Sequence, residues 1–153
     1  MEDRYAELMT TFEMFEGYTV HGVNTVVQRG RVRELAAGDV LFREGEPATH
    51  VVLVLGGTVE LFVERNGREL HLSEAGPSRL LGEIAVLASA DRVTSARAAG
   101  AVLILEWDAQ QFRRLITSDG NLSQRIFRET FRSLLEEKQS LIASLAAIRE
   151  TAN

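Results

Sequence analysis

From Gly30 to Trp107 the chain has no room for a long helix, because turn residues cut its apolar runs every few positions. Arg31–Leu35 stops at Ala36-Ala37-Gly38-Asp39, and Val40–Phe42 stops at Arg43-Glu44-Gly45-Glu46-Pro47. The run 50–55 stops at Gly56-Gly57, and 58–65 meets Asn66-Gly67, a two-residue hairpin signal. Residues 68–73 follow, and 102–107 gives a last strand. About eight short strands with tight turns predict a mainly β domain, an antiparallel β-barrel of the jelly-roll type.

Helical patterns flank this region. Residues 4–15 place Tyr5, Leu8, Met9, Phe12 and Phe15 at helical spacing, and Gly17 stops the run. Thr19 caps a second helix, Val20–Gln28, with Val23, Val26 and Val27 inward and Gly22 weakening it. After the β region, Asp108 caps a helix carrying Gln111, Phe112, Leu115 and Ile116, which Ser118-Asp119-Gly120 breaks. Residues 121–150 then read as one long helix. In it Phe127, Phe131, Leu134, Lys138, Leu141, Leu145 and Ile148 recur in steps of four and three, a heptad seam with one cation at a core position. So long an apolar stripe predicts a partner, most simply a second copy of the chain; the competing reading lays the helix back along its own barrel. The expected organisation is one domain: N-terminal helices 1–29, a β-roll 30–107, and C-terminal helices 108–153.

Composition narrows the function classes. A chain of 153 residues with 45% apolar and 25% charged residues is an ordinary globular domain. A net charge of −5 argues against a nucleic-acid binder. The absence of cysteine excludes disulfides, thiolate metal sites and cysteine nucleophiles. The opening MEDRYAELMTTF is not a signal peptide, and no apolar run reaches membrane-spanning length, so a cytoplasmic location is expected.

The stretch 80–98, LLGEIAVLASADRVTSARA, carries the chemistry. If 83–88 is a short helix, Gly82 permits close backbone approach, and the free N–H groups of the first turn favour an anion. Arg92, returning across Ala88-Ser89-Ala90-Asp91, brings a planar fork suited to phosphate. Glu83 suits a sugar hydroxyl instead. A cationic fork, amides and one carboxylate together fit a cyclic nucleotide. Taken alone, a Gly-Glu and a later Arg read more readily as a surface pair flanking a buried turn, so the flanking chain decides.

Two separated stretches settle the choice. The run LFREGEPATHVVLVLGG (41–57) and the stretch 80–98 together resemble the cyclic nucleotide-binding domain of catabolite activator proteins, protein kinase A regulatory subunits and cyclic-nucleotide-gated channels. Residues 41–57 are similar to that family's glycine-acid turn, apolar strand and glycine, and residues 80–98 are similar to its phosphate-binding cassette. The resemblance implies that Glu83 accepts the ribose 2′-hydroxyl and that Arg92 pairs with the cyclic phosphate. It further implies that amides near Ile84, Ala85, Val93 and Thr94 complete the cradle, and that Leu81 walls the sugar and base. Members that prefer cGMP often carry threonine directly after the arginine. Val93 offers no hydroxyl there, so the resemblance implies cAMP ahead of cGMP. The base is expected to be covered from the last helix, by candidates between 128 and 141 that include Arg132 and Leu135.

The resemblance therefore implies a regulatory sensor that signals by a ligand-induced shift of the last helix, Leu81 and Val86 repacking against the helices after residue 108, and not an enzyme, with no catalytic residue, metal or catalytic cofactor. A homodimer through the last helix is expected, along with a separate effector protein, since no helix-turn-helix follows before Asn153. Met1 and the short polar end favour a whole small protein over a fragment. Two alternatives stand beside this reading. One is a dimerisation module whose pocket is inert or weak. The other is a cupin-like metal enzyme, which the scattered His21, His50 and His71, with no His-x-His pair, disfavour.

Overall fold

The strands form where the turn residues predict them. The computed structural model describes residues 3–152; Met1, Glu2 and Asn153, at the outer limits of the end segments, lie outside it. In chain order come α1 (Asp3–Met9), a 3-10 turn (Glu13–Phe15), α2 (Val20–Gln28), β1 (Arg31–Leu35), β2 (Val40–Phe42), β3 (His50–Gly56), β4 (Val59–Arg65) and β5 (Arg68–Ala75). Then follow β6 (Leu80–Leu81), α3 (Glu83–Leu87), β7 (Ser95–Ala98), β8 (Val102–Asp108), α4 (Ala109–Ser118) and α5 (Gly120–Thr151).

Two four-stranded antiparallel sheets, ordered β1-β8-β3-β6 and β2-β7-β4-β5, face one another. The jelly-roll expectation holds as this pair of sheets, without a closed barrel among the described residues. Asn66 and Gly67 both adopt positive φ, at 56° and 75°, and turn β4 into β5 with Arg65 opposite Arg68.

Strand β3 explains why HVVLVL reads as an unbroken apolar run. Val51, Leu53 and Leu55 face the helices, in a core with Met9, Phe15, Val26, Trp107 and Phe112. Val52 and Val54 face the other sheet, in a second core with Phe42, Leu81, Ala96 and Ile104. A strand buried on both faces needs no alternation. The β2-β7-β4-β5 sheet covers only one core, and β5 is exposed along most of its length.

The N-terminal segment departs from the expected single helix over 4–15. The Thr10 and Thr11 hydroxyls donate to the Glu7 and Leu8 carbonyls, each at 2.6 Å, and the helix ends at Met9. Such local side-chain bonds compete with helix continuation. The remaining residues make the separate 3-10 turn, which still buries Met14 and Phe15.

Asp108 closes a capping box with Gln111 at the start of α4, and Asp119 caps α5 through the Leu122 amide at 3.0 Å. At 32 residues, α5 is about 48 Å long. It buries only Leu122, Ile126 and Thr130. Phe131, Leu134, Leu141, Leu145 and Ile148 are exposed, so the helix does not lie back along its own sheets beyond its first third. Among the described residues, no helix is long and apolar enough to cross a membrane.

Candidate functional site

The stretch 80–98 is stitched to the 43–47 turn by its backbone. The Arg92 amide donates to Glu46 O at 2.8 Å, Gly45 N donates to Arg92 O at 2.8 Å, and Pro47 bridges to Asp91. Glu44 N adds a bond to the Ser95 hydroxyl at 2.9 Å. The two stretches singled out in the sequence are thus one structural unit.

Inside that unit the Arg92 side chain is 4% exposed. Its Nη1 donates to Gly82 O at 2.8 Å and its Nη2 to His50 O. Its guanidinium carbon stands 4.2 Å from the centre of the Phe42 ring. Nε is buried without a hydrogen-bond partner. Burial pushes the Arg92 pKa down, and the negative charges of Glu83 and Glu46 partly offset this.

Gly82 makes this placement possible. Its φ is +80°, and a Cβ there would collide with the guanidinium of Arg92. The glycine therefore gives its space to the arginine, beyond any approach of a ligand to the backbone.

Glu83, the first residue of α3, is 6% exposed. Thr130 of α5 donates to its Oε1 at 3.3 Å. Burial raises its pKa, against lowering by a backbone hydrogen bond, Thr130 and the Arg79 charge. The space beside it, lined by residues including Met14, Leu80, Glu83, Thr130 and Ser133, measures about 10 Å³, roughly one water. A far larger groove of about 480 Å³ lies along Thr49, His50, Glu106 and Gln111. It includes neither Glu83 nor Arg92, and its size alone does not make it the site.

The remaining expected residues fall in different places. Leu81 is buried between the sheets. Val86 instead joins the helix-side core with Phe112 and Leu115. Ile84 is exposed, Ala85 is half-buried, Val93 is 79% exposed and Thr94 is half-buried. Arg132 reaches Glu13 and Glu129 at the surface, and Leu135 is exposed. Sequence reasoning missed three participants: Phe42 beneath Arg92, Thr130 on Glu83, and Arg113, whose Nη2 donates to the Val86 carbonyl of α3 at 2.7 Å. Of these only Thr130 lay within the stretch searched for a cover, and nothing in its residue type marked it out.

The donor set fits an anion beside a hydroxyl. Arg92 hydrogen-bonds only neutral carbonyls, with the charges of Glu83 and Glu46 acting on it without a salt bridge, and its Nε is a buried nitrogen without a partner. Glu83 supplies an acceptor at the start of the adjoining helix.

Residues 32–119 match the family model described as "Cyclic nucleotide-binding domain". The chain is 30% identical over 115 residues to a putative potassium channel protein of Rhodopseudomonas palustris, covering 74% of this chain and 27% of that one. It is 24% identical over 136 residues to the CRP-like cAMP-activated global transcriptional regulator of Mycobacterium tuberculosis, covering 88% of this chain and 61% of that protein. It superposes on the Thermus thermophilus catabolite activator protein with a TM-score of 0.74 at 26% identity, over 84% of this chain and 61% of that chain. This chain therefore spans less than two thirds of the length of each of these relatives.

Proposed function

The chain belongs to the cyclic nucleotide-binding domain family, and from that premise we propose that it is a cAMP-preferring sensor that signals by moving α5. The observation that carries this reading is the buried Arg92 fork, held by carbonyls and missing one partner, next to Glu83. In the proposed complex the phosphate takes donors from Arg92 and from the first-turn amides of α3, and Glu83 accepts from the ribose 2′-hydroxyl. Val93 has no hydroxyl to offer a guanine amino group, which supports cAMP ahead of cGMP.

The described residues leave only a water-sized space beside Glu83, with α5 against it through Thr130. A ribose entering the space between Glu83 and Thr130 displaces this part of α5. Arg113 supplies a second link, because from α4 it holds the Val86 carbonyl near the C-terminus of α3. Motion of the cassette helix thereby reaches α4 and α5 together, with Val86 in the same core as Phe112 and Leu122. A ligand drives such a shift only by binding the two arrangements unequally.

Titration calorimetry with cAMP and cGMP tests the binding claim. Heat from both, with the tighter curve for cAMP, is expected; no heat at millimolar concentration would favour the inert dimerisation module. Hydrogen exchange along α5 tests the switch, with changed protection near Thr130 expected on adding nucleotide. The exposed seam of α5 supports a homodimer. Replacing Leu141 and Leu145 together by Glu should convert a dimer to a monomer in sedimentation and leave the melting of the β region intact.

A further inference from the structure

We propose that Phe42 is a positioning residue for nucleotide binding, a platform that holds the Arg92 guanidinium with its Nε–H uncommitted to any protein acceptor. This rests on the reading that Arg92 takes the phosphate. The Phe42 ring is 6% exposed, in the core between the sheets, and the guanidinium carbon lies 4.2 Å from its centre. At that distance the face of the ring attracts the cation, more strongly where water is excluded. The ring is itself braced by the His50 imidazole, edge-on at 6.2 Å.

His50 also supplies the carbonyl that accepts from Nη2, and Gly82 supplies the one that accepts from Nη1. One face of the guanidinium is therefore taken by Phe42, and each terminal nitrogen has a carbonyl. Among the described residues, the guanidinium nitrogen left without any partner is Nε. An arginine edge that includes Nε can meet phosphate oxygens in the bidentate manner that suits the fork. Without the ring only the two carbonyls would hold the guanidinium, and whatever ordering is then left to the moment of binding reduces affinity. The role is invisible in the sequence, where Phe42 is simply the apolar end of a short strand.

The test separates electrostatics from packing. In the full chain Phe42 is replaced by fluorinated phenylalanines carrying one, two and three fluorines, which keep the ring shape and drain the negative charge of its face. Titration with cAMP and cGMP should show affinity falling stepwise, by about tenfold across the series. Phe42→Leu should weaken binding in the native background and have no further effect in an Arg92→Ala background. A flat fluorine series with Arg92→Ala still crippling would overturn the platform and leave the site standing. Unchanged affinity in Arg92→Ala, or no binding by the native chain at millimolar nucleotide, would overturn the site and the platform with it.

Discussion

Arg92 and Arg97 are five residues apart, and each stands 4.2 Å from a phenylalanine ring, Phe42 and Phe62 respectively. Their surroundings are opposite. Arg97 lies on the β2-β7-β4-β5 sheet between two carboxylates, with Nε to Glu60 at 3.0 Å and Nη2 to Glu69 at 2.6 Å. Glu69 and Glu60 hold it firmly protonated, and it holds both of them below the usual carboxylate range. Its charge is spent within the sheet. Arg92 hydrogen-bonds only neutral carbonyls and stacks on the ring; Glu83 and Glu46 act on its charge, but neither forms a salt bridge with it. A cation beside aromatic carbon becomes a strut or an anion receptor according to whether carboxylates already surround it.

The largest test of this contrast is Arg92→Ala, expected to weaken cyclic nucleotide binding by at least about 2 kcal/mol, roughly thirtyfold, in a calorimetric titration. Gly82→Ala comes next. A side chain at a φ of +80° and against the guanidinium should lower affinity about tenfold, and it should reduce stability by about 1–2 kcal/mol in chemical denaturation.

Glu83→Gln should cost about fivefold in affinity and yet raise the melting temperature of the unliganded chain at neutral pH. Burial raises the Glu83 pKa, so the folded state favours the neutral carboxyl. That contribution is full below the ordinary carboxylate range and is lost as pH rises through the raised value. Glu60 and Glu69 run the other way: their depressed values give stability above the ordinary range, lost as pH falls through them. Melting curves across acidic pH should therefore show Glu83→Gln flattening the loss of stability toward neutrality. The smallest effect belongs to Arg97→Ala, expected to leave nucleotide affinity within about twofold and to blunt the destabilisation at low pH.

Much of the fold is legible in the sequence because its punctuation is chemical. Gly38, Gly45, Gly57 and Gly67 all adopt positive φ at turns, and the strands between them follow from those stops. Capping residues Thr19 and Asp108 mark helix starts for the same local reason, whereas Asp119, read in the sequence only as part of a break, caps α5. The end of α1 is written in Thr10 and Thr11, whose back-bonding hydroxyls prevail over the helical apolar spacing of residues 4–15. In the candidate site, Gly82, Glu83 and Arg92 stand out by type and order. Their partners do not, since the carbonyl of His50, the ring of Phe42 and the hydroxyl of Thr130 become neighbours only through tertiary packing. Leu81 shows the same limit: its apolar type marks it as inward but does not separate the core between the sheets from the core under the helices.

The backbone seam that joins Glu46 and Gly45 to Arg92 sets where this chain tolerates being lengthened. The β4–β5 hairpin hangs outside that seam, with Asn66 and Gly67 exposed at its tip. Extra residues at the tip enlarge a loop whose two ends are already fastened, at a cost that grows slowly with length. A reporter domain spliced there would ride on the receptor without entering it, whereas one extra residue between Arg43 and Pro47 would pull the strap off the arginine.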